Sequence, residues 1–374
     1  MKKVLLPVIL IIIVMTGCGM GPVAVTGIDL IEKAVVLNDG GSCLLAASVI
    51  PANAANAGVA WSSDDESVAT VDQTGLVTAA GNGRAHVTVT AADGGFTDSA
   101  EIIVCEGTVF VTLWDMSLGE GTTLTLPMTV SGTYDYTIDW GDGTVQDKTS
   151  ANAQHVYAAA GSYVVSIAGV CEGFGFGSSV HENKVNFIDV LQWGAVRLHN
   201  NGQHFAYCEN LTGFSAKDVP DLTGVTCVLN MFVGAHSFDG DISLWDVSGV
   251  EIMAGMFIGA YDFNRDISGW NVSNVTDMSC MFFRAYAFNQ NIGDWDTSHV
   301  TDMHKMFSYA DGFDQDLSLW NVAAVTNMTD MFRFAASFTN GGNPAGLDNW
   351  TVQGGCDTTD MFQSCPLTPR PSWY

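Results

Sequence analysis

The chain has 374 residues, of which 13 are Lys or Arg and 40 are Asp or Glu, so its formal net charge is −27. Apolar residues make up 47% of the sequence. This excludes a disordered chain, a small disulfide-stabilised scaffold and a single minimal domain, because it supplies apolar side chains for two or three packed cores. A surface this acidic repels phosphate groups, so we expect no nucleic-acid partner and no membrane binding through basic patches.

The first residues carry the pattern of an export signal. Lys2 and Lys3 precede an apolar run at residues 4–15. A positively charged start followed by a short apolar run is typical of a secretory signal peptide. The run is shorter than the roughly 20 residues that a membrane-spanning helix requires. We therefore predict that residues 1–17 are a signal peptide and that the protein is exported.

The end of this signal contains a motif for lipid attachment. Residues 15–18 read Met-Thr-Gly-Cys, which resembles a bacterial lipobox. The resemblance implies that Cys18 is acylated, for example with palmitate, that residues 18–22 are a lipidated linker, and that the protein meets the membrane only through this anchor. Gly19 is not Asp, which by resemblance to Gram-negative lipoproteins permits sorting to the outer membrane. The alternative is an ordinary secretory signal with an unrelated Cys, and the envelope type stays open.

Exported chains meet oxidising conditions, so their cysteines are candidates for disulfides. If Cys18 carries lipid, eight cysteines remain, and an even number is compatible with pairing. Sequence does not determine the pairing, and the predicted bond joins the closest pair, Cys356 and Cys365. No two cysteines have C-x-x-C spacing, so we predict neither a zinc ribbon nor a thioredoxin-type site, and no metal or other cofactor.

Residues 23–106 alternate short apolar runs with turn residues. Runs at residues 44–50, 68–71 and 86–90 predict the strands of a β-sandwich of about 80 residues. The phrases Ala60-Trp61-Ser62-Ser63-Asp64, Ser67-Val68-Ala69-Thr70-Val71-Asp72 and Gly75-Leu76-Val77 resemble the bacterial immunoglobulin-like (Ig-like) domain of group 2. Trp61 is then the large buried ring, with turns at residues 72–75 and 93–94. The resemblance implies a spacer or adhesive module, which we interpret as a stalk.

A second β-rich segment spans residues 108–170. Alternation in Tyr136-Thr137-Ile138-Asp139-Trp140 predicts a strand, and Gly141-Asp142-Gly143 predicts a tight turn after it. Together with His155-x-Tyr157 and Gly161-x-Tyr163-x-Val165, these residues resemble PKD (polycystic-kidney-disease type) domains. The resemblance implies a β-sandwich used in extracellular recognition.

Two carboxylates of this predicted hairpin are candidate ligands for a metal ion. Asp139 and Asp142 have oxygens of the kind that calcium prefers. The favoured interpretation is that both shape the hairpin, and calcium binding stays open. The glycine-rich stretch that follows, at residues 171–186, is predicted to be an interdomain linker.

The rest of the chain, residues 187–374, contains an internal repeat of 25 residues. Met-Phe pairs start at Met231, Met256, Met281, Met306 and Met331. In the same register a Trp column recurs at Trp245, Trp270, Trp295 and Trp320. A final Trp350 and the pair Met361-Phe362 come five residues late, because of an insertion around residues 339–346 that we predict to be a surface loop.

Each repeat is predicted to contain one helix and one strand. Val275, Met278, Phe282 and Ala285 fall at helical spacing, whereas residues 288–295 are short and extended. A single unit cannot bury its apolar side chains, so we expect neighbours to stack with their strands in parallel. The predicted fold is therefore multidomain and mainly β, with two Ig-like β-sandwiches followed by an α/β leucine-rich-repeat-like solenoid.

The repeat also resembles a known family. The phrase Trp270-Asn271-Val272-Ser273-Asn274-Val275-Thr276-Asp277-Met278, continued by Met281-Phe282, Ala285 and Phe288-Asn289, is similar to the BspA-type repeat of bacterial surface proteins. The match covers about 205–365, and the stretch before it resembles the degenerate turns that cap such arrays. The resemblance implies an adhesin or a host-interaction protein.

No pattern of catalytic residues is present. The sequence has no Gly-x-Ser-x-Gly elbow and no His that a known signature places beside a nucleophile. The closest His pairs are His199 with His204 and His299 with His304, and neither has a third ligand by motif, so neither is favoured as a metal site. We therefore expect no enzyme and no catalytic residue.

One polar stripe is the candidate binding face. Its positions alternate with Ile242, Ile267, Ile292 and Leu317 and should face solvent: Asp241, Ser243, Asp266, Ser268, Asn291, Gly293, Asp316 and Ser318. Repeat proteins commonly bind along such a surface. The alternative is that the stripe is merely solvated, with its acidic columns forming turns and hydrogen bonds between repeats. We interpret the Trp column as core and not as a platform for sugars.

These features favour a lipid-anchored cell-surface protein that binds an extracellular protein or glycan without catalysis. One alternative is a surface-anchored carbohydrate-active enzyme with accessory β domains, and the other is a structural component of a surface layer. A cleft with two carboxylates in unequal environments would favour the enzyme. The sequence determines neither the ligand nor the oligomeric state.

Overall fold

The structure is a computed structural model and describes residues 22–177 and 182–374. The predicted signal peptide at residues 1–17 and the predicted lipidation site Cys18 lie outside the described residues. The chain divides into two compact units, Met1–Cys105 and Glu106–Tyr374. In the described residues no helix is long enough and apolar enough to cross a membrane.

The described part of the first unit contains nine short strands. They are β1 (Gly27–Leu30), β2 (Ala34–Leu37), β3 (Ser42–Leu44), β4 (Ala47–Ile50), β5 (Val59–Ser63), β6 (Ala69–Val71), β7 (Leu76–Ala79), β8 (Gly83–Ala91) and β9 (Thr97–Val104). One sheet has the order β2-β9-β8-β5, a second has the order β3-β7-β6, and β1 pairs with β4. Only the β2–β9 pair is parallel among these described strands.

Trp61 and the alternating residues of β8 form the core of this unit. Trp61 is 7% exposed, and Val87 and Val89 are fully buried. The predicted turns at residues 72–75 and 93–94 connect β6 to β7 and β8 to β9, and Gly75 at φ +87° supplies the positive dihedral that the first turn needs. The predicted β-sheet fold of this segment, with Trp61 as its large buried ring, is confirmed.

The described residues of the second unit begin with eight strands. They are β10 (Phe110–Asp115), β11 (Thr123–Thr125), β12 (Tyr134–Asp139), β13 (Val145–Lys148), β14 (Gln154–Val156), β15 (Ser162–Phe174), β16 (Phe187–Gln192) and β17 (Arg197–Leu198). Two 3₁₀ helices span Glu182–Lys184 and Pro344–Asn349. The main sheet has the order β13-β12-β15-β10-β16. The β12–β13 hairpin and strand β15 confirm the strands and the tight turn predicted from local sequence.

These strands and the repeats share one hydrophobic core. The sequence predicted instead two separate domains joined by a linker at residues 171–186. Strand β15 continues to Phe174, and β16 pairs with β10. Phe187 of β16 stacks on Phe205 at 5.8 Å, and Phe205 stacks on Phe232, in the first Met-Phe pair, at 5.6 Å. The sheet thus covers the first apolar layer of the repeats, which would otherwise face water.

From Cys227 onward the chain winds in stacked layers, one layer per repeat. A parallel bridge joins each layer to the next: Cys227 to Ile252, Ile252 to Asp277, Asp277 to Asp302, Asp302 to Asn327, and Asn327 to Asp357. Parallel stacking of the repeats agrees with the prediction. The position at which the layers pair differs from the prediction. Pairing was predicted at residues 288–295, which form no strand, whereas the observed bridge at Asp277 lies in the segment predicted to be helical.

The predicted helix in each repeat is wrong, and no α-helix occurs in the described residues. Every second backbone N–H donates to the next layer, as from Cys280 N to His304 O at 2.7 Å and from Phe282 N to Met306 O at 2.9 Å. The intervening N–H groups donate three residues back, as from Met281 N to Met278 O at 3.2 Å. An α-helix directs its N–H groups four residues back within itself, so this segment is instead a run of turns tied to its neighbour.

Left-handed residues produce this winding. Cys280 and Arg284 have φ of +55° and +60°, and Lys305 and Tyr309, one layer later, have φ of +55° and +58°. Two such residues per layer reverse the backbone dihedral and stop a right-handed helix from continuing. The turns still place every third or fourth residue on the inner side, which is why their apolar spacing imitates that of a helix.

The Met, Phe and Trp columns are core, as predicted. All five Met-Phe pairs are fully buried, and successive Phe rings of these pairs are stacked 5.5–5.6 Å apart. The column Trp residues are 3–5% exposed. The indole N–H groups of Trp270, Trp295, Trp320 and Trp350 donate to the previous layer, as from Trp295 Nε1 to Ile267 O at 3.2 Å. The Trp rings therefore offer no platform for sugars.

The C-terminal segment covers the last layer. Trp373 stacks on Trp350 at 5.9 Å, and its indole N–H donates to Leu347 O at 2.7 Å. Arg370 Nη2 donates to Phe362 O at 2.7 Å, and its guanidinium lies 5.0 Å from the Phe362 ring centroid. These contacts shield the final apolar ring of the stack from solvent.

The predicted disulfide between Cys356 and Cys365 is wrong, because both are free thiols. Cys356 precedes the winding segment of the last layer, whereas Cys365 follows it and takes the inward position that Ala335 has one layer earlier. Cys365 Sγ lies 3.5 Å from Phe338 O, and burial raises the pKa of this thiol. Nearness in sequence does not bring the two side chains together, since they lie at opposite ends of a turn segment.

Candidate ligand-binding face

The candidate face contains a column of exposed side chains, one per layer, at Asp241, Asp266, Asn291 and Asp316. The residues that follow them are fully buried, as the alternation predicted. In each layer the column side chain accepts a backbone hydrogen bond from two residues later, as from Ser268 N to Asp266 Oδ1 at 2.9 Å. This turn gives every column side chain the same direction. Within the described residues, Oδ2 of Asp241 and of Asp266 accepts no hydrogen bond.

A second polar column lies two residues earlier, at Asp239, Asn264, Asn289 and Asp314. Each Oδ1 of this column accepts from the backbone N–H of the residue 25 positions later, at 2.7–3.0 Å. These side chains fasten one layer to the next. The two predicted roles are thus divided: the column that begins at Asp241 forms turns, and the column that begins at Asp239 makes the hydrogen bonds between repeats. Only the Asp241 column leaves carboxylate oxygens for a ligand.

Hydrogen bonding keeps the carboxylates of the face charged. The side chain and the N–H of Ser268 lower the pKa of Asp266, and those of Ser243 do the same for Asp241. At Asp316 burial acts to raise the pKa, but hydrogen bonds, led by those from Ser318, outweigh it and the pKa is lowered. The face therefore presents fixed negative charge at neutral pH.

The C-terminal end of the face is closed by the inserted loop. Asn340 donates to Asp316 Oδ1 at 3.2 Å, and Asn343 donates to Asp316 Oδ2 at 3.1 Å. Both amides also reach Ser318 Oγ, at 3.2 and 3.3 Å. Residues 341–343 are exposed but Asn340 is fully buried, so the insertion is only in part a surface loop. The open part of the column comprises Asp241, Asp266 and Asn291.

A pocket lies at the other end of the face, with a cavity volume of about 290 Å³. Its lining residues are Trp193, Phe214, Ala216, Lys217, Asp218, Val219, Asp241, Leu244 and Trp245. The rings of Phe214 and Trp245 are stacked at 5.7 Å, and the Leu244 side chain beside them is 79% exposed. Asp241 contributes a carboxylate and Lys217 an ammonium group. Asp218 contributes a second carboxylate, so the pocket combines apolar rings with two negative charges and one positive charge. No repeat pattern marked residues 214–219 in the sequence.

The structure brings together one of the two His pairs. The rings of His199 and His204 are buried and stacked at 4.4 Å, and His204 Nε2 contacts His199 O at 2.6 Å. Burial lowers the pKa of both, that of His204 to about 3, so both are neutral. His299 is exposed, whereas His304 Nδ1 lies 3.9 Å from Cys280 Sγ. In the described parts of the chain no three His, Cys, Asp or Glu residues are grouped to hold a metal.

Asp139 and Asp142 shape their hairpin, which is the role that the sequence favoured. Asp139 Oδ1 accepts from Gly141 N at 2.9 Å, and Asp142 Oδ1 accepts from Thr144 N at 3.0 Å. Asp142 Oδ2 contacts His155 Nε2 at 2.7 Å. These bonds hold the tight turn between β12 and β13.

Comparison with known proteins identifies two regions of the chain. Residues 24–102 match the bacterial Ig-like domain (group 2). Residues 199–295 and 270–370 match the family described as "Mycoplasma protein of unknown function, DUF285". No curated protein matches the chain.

Solved structures add a weak similarity. One, described as "Crystal structure of EHEC O157:H7 intimin mutant", is 17% identical, with 37% of this chain and 94% of that chain covered and a TM-score of 0.17. Overlap this low supports no argument about fold or function. The PKD and leucine-rich-repeat resemblances stay predictions. The chain contains a bacterial Ig-like domain of group 2 followed by a mainly β unit with a DUF285 region.

Proposed function

We propose that this is an exported, lipid-anchored protein of the bacterial cell envelope that binds an extracellular protein or glycan through the candidate face, without catalysis. The supporting observation is the open carboxylate oxygens of Asp241 and Asp266, which fixed turns hold in register on a stack with a fully buried aromatic core. A rigid array of this kind loses little conformational freedom when a partner binds. In this proposal the Ig-like unit is a spacer.

The charge of the face favours one kind of partner. Carboxylates attract a surface that brings ammonium, guanidinium or N–H groups, and such complementarity speeds association and selects orientation. The pocket beside Asp241 offers the half-buried Phe214 ring and the exposed Leu244 side chain to an apolar group. A basic protein segment with one apolar side chain therefore fits the face best.

The same geometry favours binding over catalysis. A glycosidase needs two carboxylates made unequal by their surroundings. Asp241 and Asp266 have equivalent turns, equivalent Ser partners and pKa values lowered for the same reason. The surface-layer alternative predicts instead that the purified chain self-associates, which sedimentation of residues 19–374 measures directly.

Charge substitution on the face tests the proposal. We expect residues 19–374 to bind ligands on protein and glycan arrays, and D241K/D266K to weaken that binding about tenfold, which corresponds to about 1.4 kcal/mol. D241N/D266N separates charge from fold, because Asn291 already occupies this column and keeps the turn. D262K is the matched control, since Asp262 is exposed and outside the face. Unchanged binding by D241K/D266K would exclude the face.

Labelling tests the anchor separately. Cells that express the full chain should incorporate labelled palmitate into it, and C18S should abolish the label. Because two or more acyl chains are needed for stable attachment, the C18S protein should appear in the soluble fraction. Export of C18S without any change in labelling or fractionation would contradict a lipid anchor at Cys18.

A further inference from the structure

The repeat stack has a second surface, which carries cations and aromatic rings. We propose that this surface binds an acidic polysaccharide. We name it the basic ladder, and it comprises Phe283, Arg284, Lys305, Tyr309, Arg333 and Phe334. None of these residues belongs to the candidate face, so the inference goes beyond the proposed function and each can hold without the other.

The ladder is continuous from layer to layer. Arg284, Tyr309 and Phe334 occupy the same position in three successive repeats, with φ of +60°, +58° and +58°. Tyr309 and Phe334 are stacked at 4.8 Å, and the Arg284 guanidinium lies 5.6 Å from the Tyr309 ring centroid. Arg284 also lies 5.2 Å from the ring of Phe283. Because the backbone conformation repeats from layer to layer, these side chains project from the surface of the stack next to one another.

The cations of the ladder exceed their carboxylate partners. Lys305 and Arg333 share one acid, Asp330, at 3.8 and 3.3 Å. Arg284 is exposed and lies within ion-pair distance of no carboxylate in the described residues. In the described residues these three cations therefore have one carboxylate, Asp330, within ion-pair distance, on a chain whose net charge is −27. This surface is therefore a local site for an anion on an otherwise acidic protein.

The donors of the ladder are also available. The Arg333 side chain is 35% exposed, and its Nη1 donates to Asp330 Oδ1 at 3.3 Å. The Arg284 side chain is held over two rings and not by a carboxylate. A guanidinium group has a planar fork of N–H donors that matches a carboxylate or a sulfate with two parallel bonds. The anionic group that fits is thus a carboxylate or sulfate.

The aromatic rings and the repetition favour a polysaccharide over an acidic peptide. Tyr309 and Phe334 are half-buried and rigidly stacked, so they present fixed apolar edges next to the guanidinium groups. A sugar ring has apolar C–H faces beside its charged substituent, and an acidic peptide has no such face next to each charge. A polymer of acidic sugars also repeats its groups regularly, as the ladder does from layer to layer.

Binding to defined polymers tests the inference. The probes are polygalacturonate, dextran sulfate, neutral dextran and polyglutamate, applied to immobilised residues 19–374. We expect both acidic polysaccharides to bind, neutral dextran not to bind, and R284Q to weaken binding about tenfold, with a further loss in R284Q/R333Q. R265Q is the control, because Arg265 carries the same charge but is paired with Asp239 at 2.8 Å. Y309A should weaken binding of polygalacturonate.

Several outcomes would overturn the inference. Absence of polysaccharide binding, or equal binding by the wild type and R284Q/R333Q, would exclude the ladder. Polyglutamate binding as tight as that of polygalacturonate would assign the ladder to acidic chains in general and overturn the assignment to sugars. Thermal unfolding of R284Q should match the wild type, since Arg284 has no ion pair to lose. D241K/D266K should keep polygalacturonate binding, which separates this inference from the proposed function.

Discussion

The Ig-like unit and the repeat stack bury their largest rings in different ways. Trp61 lies in a core of unlike side chains contributed by antiparallel strands, including Val87 and Val89. Phe282 lies between copies of itself, with Phe257 at 5.5 Å and Phe307 at 5.6 Å. In the stack every layer is therefore the packing partner of the next, so the stability of one repeat depends on its neighbours. In the Ig-like unit stability depends on the fit of one closed core.

The largest effect is expected from a change in the middle of the stack. F282A should lower the free energy of unfolding by about 4 kcal/mol, because it leaves a cavity and removes ring contacts on both sides. F362A is the comparison, since Phe362 has a stacked Phe neighbour on one side only, Phe332 at 5.5 Å. Denaturant unfolding of residues 19–374 measures both. Equal losses in the two variants would contradict coupling between layers.

A somewhat smaller effect is expected from the closed core of the first unit. W61A should destabilise that unit by about 3 kcal/mol through lost burial. The chain forms two compact units, so unfolding should show two transitions, and only the one that belongs to residues 22–105 should move. Hydrogen exchange assigns each transition to its unit. A parallel shift of both transitions would show that the two cores are not independent.

Removing one fastening between layers should cost less. In the wild type the backbone N–H groups of Thr339 and Gly341 donate to Asp314 Oδ1 at 2.7 and 2.9 Å. D314A removes this acceptor from both. We expect a loss of about 1–2 kcal/mol, measured by denaturant unfolding. D262A removes an exposed carboxylate with no such bonds and should be neutral. D314N should recover part of the loss, because Asn264 and Asn289 perform this role in other layers.

The smallest effect is the acid sensitivity of the turns. Carboxylates with lowered pKa values recur along the stack, at Asp241, Asp246, Asp266, Asp296 and Asp316. A pKa that is lower in the folded state means that stability is fully present above the unfolded value of about 3.9 and is lost as pH falls through the folded value. Unfolding followed between about pH 5 and pH 3 should show this loss, and D266N should reduce its slope. A flat profile would contradict charged turns.

Local signals predicted the first strands and turns of the second unit, and they failed for the winding segments. The three residues Gly141-Asp142-Gly143 are sufficient to form the tight turn, so the β12–β13 hairpin could be predicted from neighbouring residues alone. Met278, Phe282 and Ala285 have helical spacing, but their backbone hydrogen bonds go to another layer, and no local pattern encodes that partner. The basic ladder was missed for the same reason. Its residues are scattered between positions 283 and 334, and the overall charge conceals them.

The sequence alone determined the 25-residue register and the identity of the core. Identical Met, Phe and Trp side chains at a constant interval can be buried only against their own copies, so the columns follow from the repeat itself. Only the tertiary structure decided the backbone path and the use of the carboxylates. Asp239 and Asp241 are two residues apart and chemically identical, yet Asp239 binds the next layer and Asp241 remains open. That difference depends on which N–H group the neighbouring layer places within reach.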